Sequence, residues 1–195
     1  MKKLILIILP LLFLSAGLAF AVSASGNQAQ TAEKGEVMTK KVLVSYFSWG
    51  GNTKHIAELI HSQTGGDMFS IEPVTPYPSD YNETAYGVAK EQKDKGIHPP
   101  IKNKDISSYD VIFVGTPAWW YTMAPPVMTF LAENNFEGKT IIPFITHGGG
   151  GAYTIAADMG KLAKGAKVLT PFVVYERGDS NTAQKITEWL KGLAY

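Results

Sequence analysis

The stretch SWGGNT at 48–53 combines glycines with hydroxyl and amide side chains between an apolar run and a helix-like run. Amide groups at a helix N-terminus bind anions, and glycines let the backbone approach a ligand closely. No lysine completes a GK[ST] pattern and no G-x-G-x-x-G occurs, so this turn carries neither the triphosphate motif nor the dinucleotide motif. The stretch predicts a cradle for a terminal monophosphate, with a plain strand-to-helix turn as the alternative. The candidate residues are Ser48, Trp49, Gly50, Gly51, Asn52 and Thr53.

A second stretch, TPAWWYTMAPP at 116–126, places Trp119, Trp120 and Tyr121 consecutively after an apolar run. The alternating pattern of a strand cannot bury three neighbouring side chains, so at least one of these rings is left for other contacts. Large aromatic side chains beyond a strand end are typical of a surface on which a flat ligand stacks. The alternative is that one or two of these rings cover the end of the sheet.

A third stretch, THGGGGAY at 146–153, places four glycines after another apolar run. Glycine backbone can come close to the edge of a ring and offer its amides as donors. The alternative is a glycine-rich hinge. His147, beside the strand end, is either a residue that tunes a redox group or a structural histidine.

Apolar runs with strand character alternate with helix-like runs from Lys41 onward. Strands are predicted over 41–47, 68–74, 110–115, 140–146 and 167–175, and helices over 53–64, 80–95, 127–134, 153–163 and 182–193. Fivefold alternation predicts a doubly wound α/β fold with a five-stranded parallel sheet. In such folds ligands bind beyond the carboxyl ends of the strands, where the three stretches would converge. Pro143 and Pro171 are unfavourable within the fourth and fifth strands, since proline has no N–H to donate to a neighbouring strand.

Composition excludes several classes of site and partner. The 195 residues carry a formal net charge of +1, which gives no electrostatic case for binding nucleic acid. Cysteine is absent, which excludes disulfides, thiolate metal sites and cysteine catalysis. The residues show no obvious acid–base pair for catalysis, and we assign no catalytic or metal-binding residue.

The first 24 residues have the layout of a secretory signal peptide. Lys2 and Lys3 precede an apolar run, and small residues then offer cleavage after Ala21 or Ala24. An uncleaved membrane anchor over 4–22 is the alternative, and it would be the only part in contact with a membrane. Residues 25–40 are polar and aperiodic, so we predict a flexible linker before a domain over 41–195. The sequence thus predicts an exported protein.

Three segments together resemble the flavodoxin-like branch of bacterial FMN proteins: VLVSYFSWGGNTKHIAELI, YDVIFVGTPAWWYTMAPPVMTFL and GKTIIPFITHGGGG. The resemblance covers about 41–193. It implies the flavodoxin fold, the strand order 2-1-3-4-5 and FMN as the cofactor.

The resemblance also implies a site. Residues 48–53 would surround the phosphate. Pro117, Ala118, Trp119 and Trp120 would line one side of the isoalloxazine ring, and Thr146, His147, Gly148 and Gly149 would approach its pyrimidine edge.

Three departures from the typical flavodoxin pattern stand out. Gly50 occupies a position where a hydroxyl residue is common, and the third loop lacks the tyrosine that commonly stacks on the flavin. Loss of two lysines with the signal segment would leave 16 basic against 17 acidic residues, which is nearly neutral rather than strongly acidic. A nearly neutral surface does not favour docking on a basic partner by charge steering.

The resemblance leaves three classes of function open. The first is an electron-transfer protein with an unidentified redox partner, either a protein or a small electron donor or acceptor. The second is an NAD(P)H-dependent quinone or flavin reductase on the same fold. The third is a module that stores or scavenges FMN outside the cell. Small size and the lack of an acid–base pair favour the electron carrier.

Overall fold

The structure, a computed structural model, describes residues 40–102 and 104–195. The predicted signal segment and the predicted linker, apart from Lys40, lie outside the described residues. Within the described part, no helix has the length and apolar character needed to cross a membrane.

Strands and helices alternate along the chain much as the sequence predicts. The strands are β1 (Val42–Tyr46), β2 (Asp67–Ser70), β3 (Glu72–Pro73), β4 (Ile101–Lys102), β5 (Val111–Trp119), β6 (Thr122–Met123), β7 (Thr140–His147), β8 (Lys167–Val168) and β9 (Phe172–Tyr175). The helices are α1 (Asn52–Thr64), α2 (Ala89–Lys95), α3 (Pro125–Glu133), α4 (Ile155–Leu162) and α5 (Thr182–Lys191). A π-helical turn, Glu83–Val88, leads directly into α2.

The main sheet has the order β2-β1-β5-β7, and both β8 and β9 pair with β7 on its far side. These pairings are all parallel. Because β8 and β9 together form the fifth strand of the prediction, the doubly wound order 2-1-3-4-5 is confirmed. Two short antiparallel pairings were not predicted: β6 folds back on β5, and β3 pairs with β4 in a separate sheet.

The predicted fifth strand, 167–175, is wrong as a continuous element, and Pro143 supplies a physical reason. The amide of Leu169 donates to the carbonyl of Ile141 at 2.9 Å, so Ile141 turns its polar backbone groups toward β8 and β9. Backbone groups alternate with a period of two, so Pro143 faces the same way. Its missing N–H therefore falls opposite the break that contains Pro171, where no ladder bond is required.

Helices cover both faces of the sheet, as the side chains of β5 show. Ile112 and Val114 belong to one buried layer, whereas Val111 and Phe113 belong to the other. Buried residues of α3 and α4 complete the first layer, and those of α1 and α5 complete the second. This two-sided burial fixes the strands and leaves the loops at their carboxyl ends free to form a site.

Candidate functional site

The carboxyl ends of β1, β5 and β7 open into one cleft of about 420 Å³. Eleven of the fourteen residues that the sequence singled out line it: Ser48, Trp49, Gly50, Asn52, Thr53, Pro117, Ala118, Trp119, Thr146, His147 and Gly148. Gly51, Trp120 and Gly149 do not line the cleft, and Tyr81 and Glu176 line it without having been predicted. The fold thus brings the three stretches together.

The turn between β1 and α1 leaves the start of the helix uncapped. Gly51 adopts a left-handed φ of 86°, a conformation that glycine reaches without steric cost. No side chain caps α1, and no acidic residue lies in its first turn. A Cβ added at Gly50 would meet no atom within 4 Å, so this glycine borders open space. The first-turn amides of α1 are therefore left for an anion in the cleft.

Ser48 carries an unused hydrogen-bonding group at the same place. Its Oγ is shielded from solvent, and it is the one buried side-chain polar atom without a partner among the described residues. A buried hydroxyl without a partner costs about 1–3 kcal/mol. Such an atom beside a cavity indicates a donor that awaits a ligand.

Thr53 and Thr146 join the first and third loops. Their hydroxyl oxygens lie 2.8 Å apart, and each residue is at most 2% exposed. Burial makes this bond costly to break, because either hydroxyl alone would lack a partner. The start of α1 is thereby held against the carboxyl end of β7.

Trp119 both covers the end of the sheet and lines the cleft. It is the last residue of β5 rather than part of a loop. Its ring meets Phe47 and Tyr77 edge-on, with centroids 5.3 Å apart in each case. These contacts hold the indole in one orientation, so a flat ligand meets a fixed aromatic surface.

Trp120 and Tyr121 form the two-residue turn of the β5–β6 hairpin. Their φ angles are 49° and 69°, as in a type I′ turn, which ordinarily favours asparagine and glycine. Trp120 points away from the cleft, because its Nε1–H donates to the carbonyl of Ala85 at 2.6 Å. Tyr121 is 68% exposed. Strained aromatic residues at a binding edge are typical of sites where function outweighs local stability.

The third loop orients His147 and carries a tyrosine. The amide of Gly149, at φ 125°, donates to Nδ1 of His147 at 3.0 Å, which leaves the ring proton on Nε2. Tyr153, the last residue of the third stretch, does not line the cleft. Its ring meets Tyr121 edge-on at 5.2 Å, and it lines a smaller cavity that also borders His147.

The segment 78–88 forms a wall of the site that was not predicted, since the sequence pattern indicated only a helix over 80–95. Trp49 Nε1–H and Thr84 Oγ1–H both donate to the carbonyl of Pro78, at 2.9 and 2.8 Å. Tyr81 in turn meets the Trp49 ring at 6.2 Å. The available signal was the recurrence of tyrosine at 77, 81 and 86 in an otherwise polar stretch.

The cleft offers neutral donors and one acidic residue. None of the residues that line it is lysine or arginine, and Glu176 lies at its edge with its backbone N–H bonded to the carbonyl of His147 at 2.8 Å. A hydrogen bond to the Glu176 carboxylate raises the pKa of the neighbouring Tyr175. Across the described residues, no group of histidines and carboxylates could hold a metal ion. The arrangement suits a ligand with a small anionic end and a flat uncharged body.

The sequence profile described as flavodoxin matches residues 41–193 of this chain. The chain belongs to the flavodoxin family. The match spans all three loops that converge on the cleft and every strand of the main sheet.

Solved structures agree with this assignment. A candidate flavoprotein from Bacteroides eggerthii is 30% identical, with a TM-score of 0.66, and the match covers 80% of this chain and 99% of that one. A candidate flavoprotein from Bacteroides uniformis is 25% identical, with a TM-score of 0.67 over 78% and 98% of the two chains. A flavoprotein from Lactobacillus acidophilus, solved in complex with FMN, shares the fold at 24% identity and a TM-score of 0.60, over 78% and 99%.

Replacing Tyr121 by glycine should raise the free energy of unfolding by about 0.5–1 kcal/mol, because glycine removes left-handed strain at an exposed position. Urea unfolding followed by circular dichroism measures this change. Tyr175→Gly is the matched control: Tyr175 is also exposed but lies in β9 without a positive φ, so the same change should lower stability. A loss of stability in both variants would contradict strain at the turn.

Proposed function

We propose that this chain binds FMN in the cleft and serves as an electron-transfer protein outside the cytoplasm. The observation that carries the proposal is the unpartnered Ser48 Oγ beside the uncapped start of α1. A terminal phosphate would satisfy both the hydroxyl and the helix amides. Family membership and the Lactobacillus flavoprotein in complex with FMN support the same cofactor.

The residues present fit both ends of FMN. Ser48, Trp49, Gly50, Asn52 and Thr53 would hold the phosphate, Pro117, Ala118 and Trp119 would line the ring, and Thr146, His147 and Gly148 would approach its pyrimidine edge. Gly51, which does not line the cleft, would set the turn that presents the helix amides. A phosphate held by neutral donors alone suits a monoester that keeps contact with solvent. Bound FMN would supply one- and two-electron chemistry, which the protein tunes through stacking and charge.

The charges around the cleft favour a low reduction potential. Lysine and arginine are missing from its lining, while Glu176 adds a negative charge at the edge. Added electron density on the ring is then stabilised by no cation in the cleft lining, and the carboxylate opposes it. We expect the reduced protein to be a strong donor of electrons.

The same charges favour a carrier over an NAD(P)H-dependent reductase. A nicotinamide dinucleotide brings a diphosphate, which proteins commonly hold with cations or with a second helix N-terminus. The cleft lining offers no cation for it. We therefore propose that electrons arrive from and leave to a redox partner protein or a small redox molecule. Storage of FMN outside the cell is disfavoured by the fixed aromatic surface of Trp119, which a simple store would not require.

The proposal that the protein is exported depends on the first 24 residues. We propose that they direct the chain across a membrane and are removed, so that FMN is acquired after export.

Titration of FMN into the chain from Ser25 onward should give tight binding with quenched flavin fluorescence. Gly50→Val should abolish binding without unfolding the apoprotein, since a Cβ there meets no atom within 4 Å and the side chain would extend into the cleft. Ser48→Ala should weaken binding about 10- to 100-fold through one lost bond to a charged group.

Urea unfolding of the apoprotein separates a binding role of Ser48 from a structural one. Ser48→Ala should leave its stability unchanged or raised, because the lost hydroxyl had no partner. Ser62→Ala, in the last turn of α1, is the matched control and should leave the FMN affinity unchanged. Unaltered FMN affinity in Ser48→Ala would refute the phosphate cradle.

Mixing the FMN-loaded protein with NADH or NADPH without oxygen tests the choice of carrier. We expect no rapid bleaching of the flavin absorbance with either nucleotide, whereas dithionite should reduce the flavin fully. Bleaching within seconds at submillimolar NADPH would instead identify a reductase.

Expression of the full chain in a bacterial host tests export. We expect a product in the extracytoplasmic fraction whose intact mass begins at Val22 or Ser25. A product that retains residues 1–21 in the membrane fraction would show an anchor instead.

A further inference from the structure

A second cavity of about 200 Å³ adjoins the cleft. Trp49, Tyr81, Ala118 and Trp119 line both cavities and so form their common wall. The remaining walls come from the π-helical turn, the start of α2 and Trp120. We call this cavity the side pocket.

The lining of the side pocket selects an uncharged ligand. Aromatic rings, alanines and one threonine line it, and none of its lining residues is charged. The threonine, Thr84, already donates its hydroxyl to the carbonyl of Pro78 at 2.8 Å. A charged ligand would lose part of its hydration here and would meet no charged partner in the lining, which is unfavourable.

The size and shape of the side pocket select a planar ring. Ala85 and Ala89 present small side chains where larger ones would fill the space. A cavity of about 150 Å³ accommodates benzene, so 200 Å³ suits one or two fused rings. Aromatic walls add favourable edge and stacking contacts with such a ring.

The walls are held in place rather than left by loose packing. Trp120 donates its indole N–H to Ala85 O at 2.6 Å and meets the Tyr86 ring at 5.5 Å. Two unusual backbone features shape the same walls: the π-helical turn and the positive φ of Trp120. π-Helical turns and strained residues are each less stable than the regular alternative and are frequent at functional sites.

Two tyrosine hydroxyls are available to a ligand at the side pocket. Tyr81 and Tyr86 both line it, are 59% and 60% exposed, and make no side-chain hydrogen bond in the described structure. A phenol O–H donates readily to a carbonyl oxygen. A quinone is one such ligand, since it is a planar, uncharged ring that carries carbonyl groups.

We propose that the side pocket binds a quinone of one or two rings, beside the cleft that would hold FMN. The inference rests on the proposed function for its redox context, whereas the pocket and its chemistry stand on their own residues. It gives a chemical class to the small redox molecule that the carrier would meet.

The test is a titration of menadione, a two-ring quinone, into the purified full chain with and without FMN, followed by tryptophan fluorescence. The chain has no cysteine that could form an adduct with the quinone. We expect saturable quenching in both forms. Ala85→Leu should weaken menadione binding at least tenfold by filling the pocket, while Ala183→Leu, at an exposed position on α5, should not.

Two further measurements address folding and chemistry. Tyr86→Ala, at an exposed position, provides a second variant should Ala85→Leu fail to fold, and it should weaken binding several-fold. Naphthalene has the same two rings without carbonyl groups and should bind at least fivefold more weakly than menadione. Equal binding of the two compounds would overturn the quinone assignment.

The outcomes separate this inference from the proposed function. FMN binding without saturable menadione binding would overturn the side pocket and leave the FMN cleft standing. Menadione binding without FMN binding would overturn the FMN cleft and leave the side pocket standing. Competition between menadione and FMN for one site, or equal effects of Ala85→Leu and Ala183→Leu, would overturn the side pocket.

Discussion

The hydrogen bond between Thr53 and Thr146 is the contact on which the geometry of the site depends. It joins the first turn of α1 to the end of β7 across a distance of 93 residues in the chain. A parallel sheet brings strand ends to one edge, but it does not fix how far apart their loops lie. This buried pair does so before any ligand arrives, so little of the binding free energy is spent on ordering the cleft.

On the aromatic side of the site, the orientation of the rings is fixed at a cost in local backbone stability. Indole N–H groups of Trp49 and Trp120 are both used to fasten their rings to carbonyls of Pro78 and Ala85, outside the main sheet. The β5–β6 hairpin, which presents Trp120, has a strained turn where asparagine and glycine would be more stable. A wall of this kind is expected where ring orientation matters more than the stability of a loop.

Sequence alone was sufficient for the sheet order and for most of the cleft, because both follow from local patterns. Apolar runs fix the strands, and the doubly wound order then brings 48–53 and 146–149 to one edge. It was not sufficient for Trp120, whose direction is set by a distant acceptor at Ala85. Tyr81 and Glu176 were missed because tertiary contacts place them at the cleft: Tyr81 meets the Trp49 ring, and the Glu176 N–H donates to the carbonyl of His147.

The interruption between β8 and β9 affects how readily the edge of the sheet can pair with a strand of another molecule. Exposed sheet edges offer unpaired backbone groups to other molecules, and long flat edges promote aggregation. Here one edge strand, β2, has four residues, and the other is divided into segments of two and four residues. A second copy could form only a few consecutive bonds with either edge. The break opposite Pro143 thus also shortens the edge that another chain could pair with.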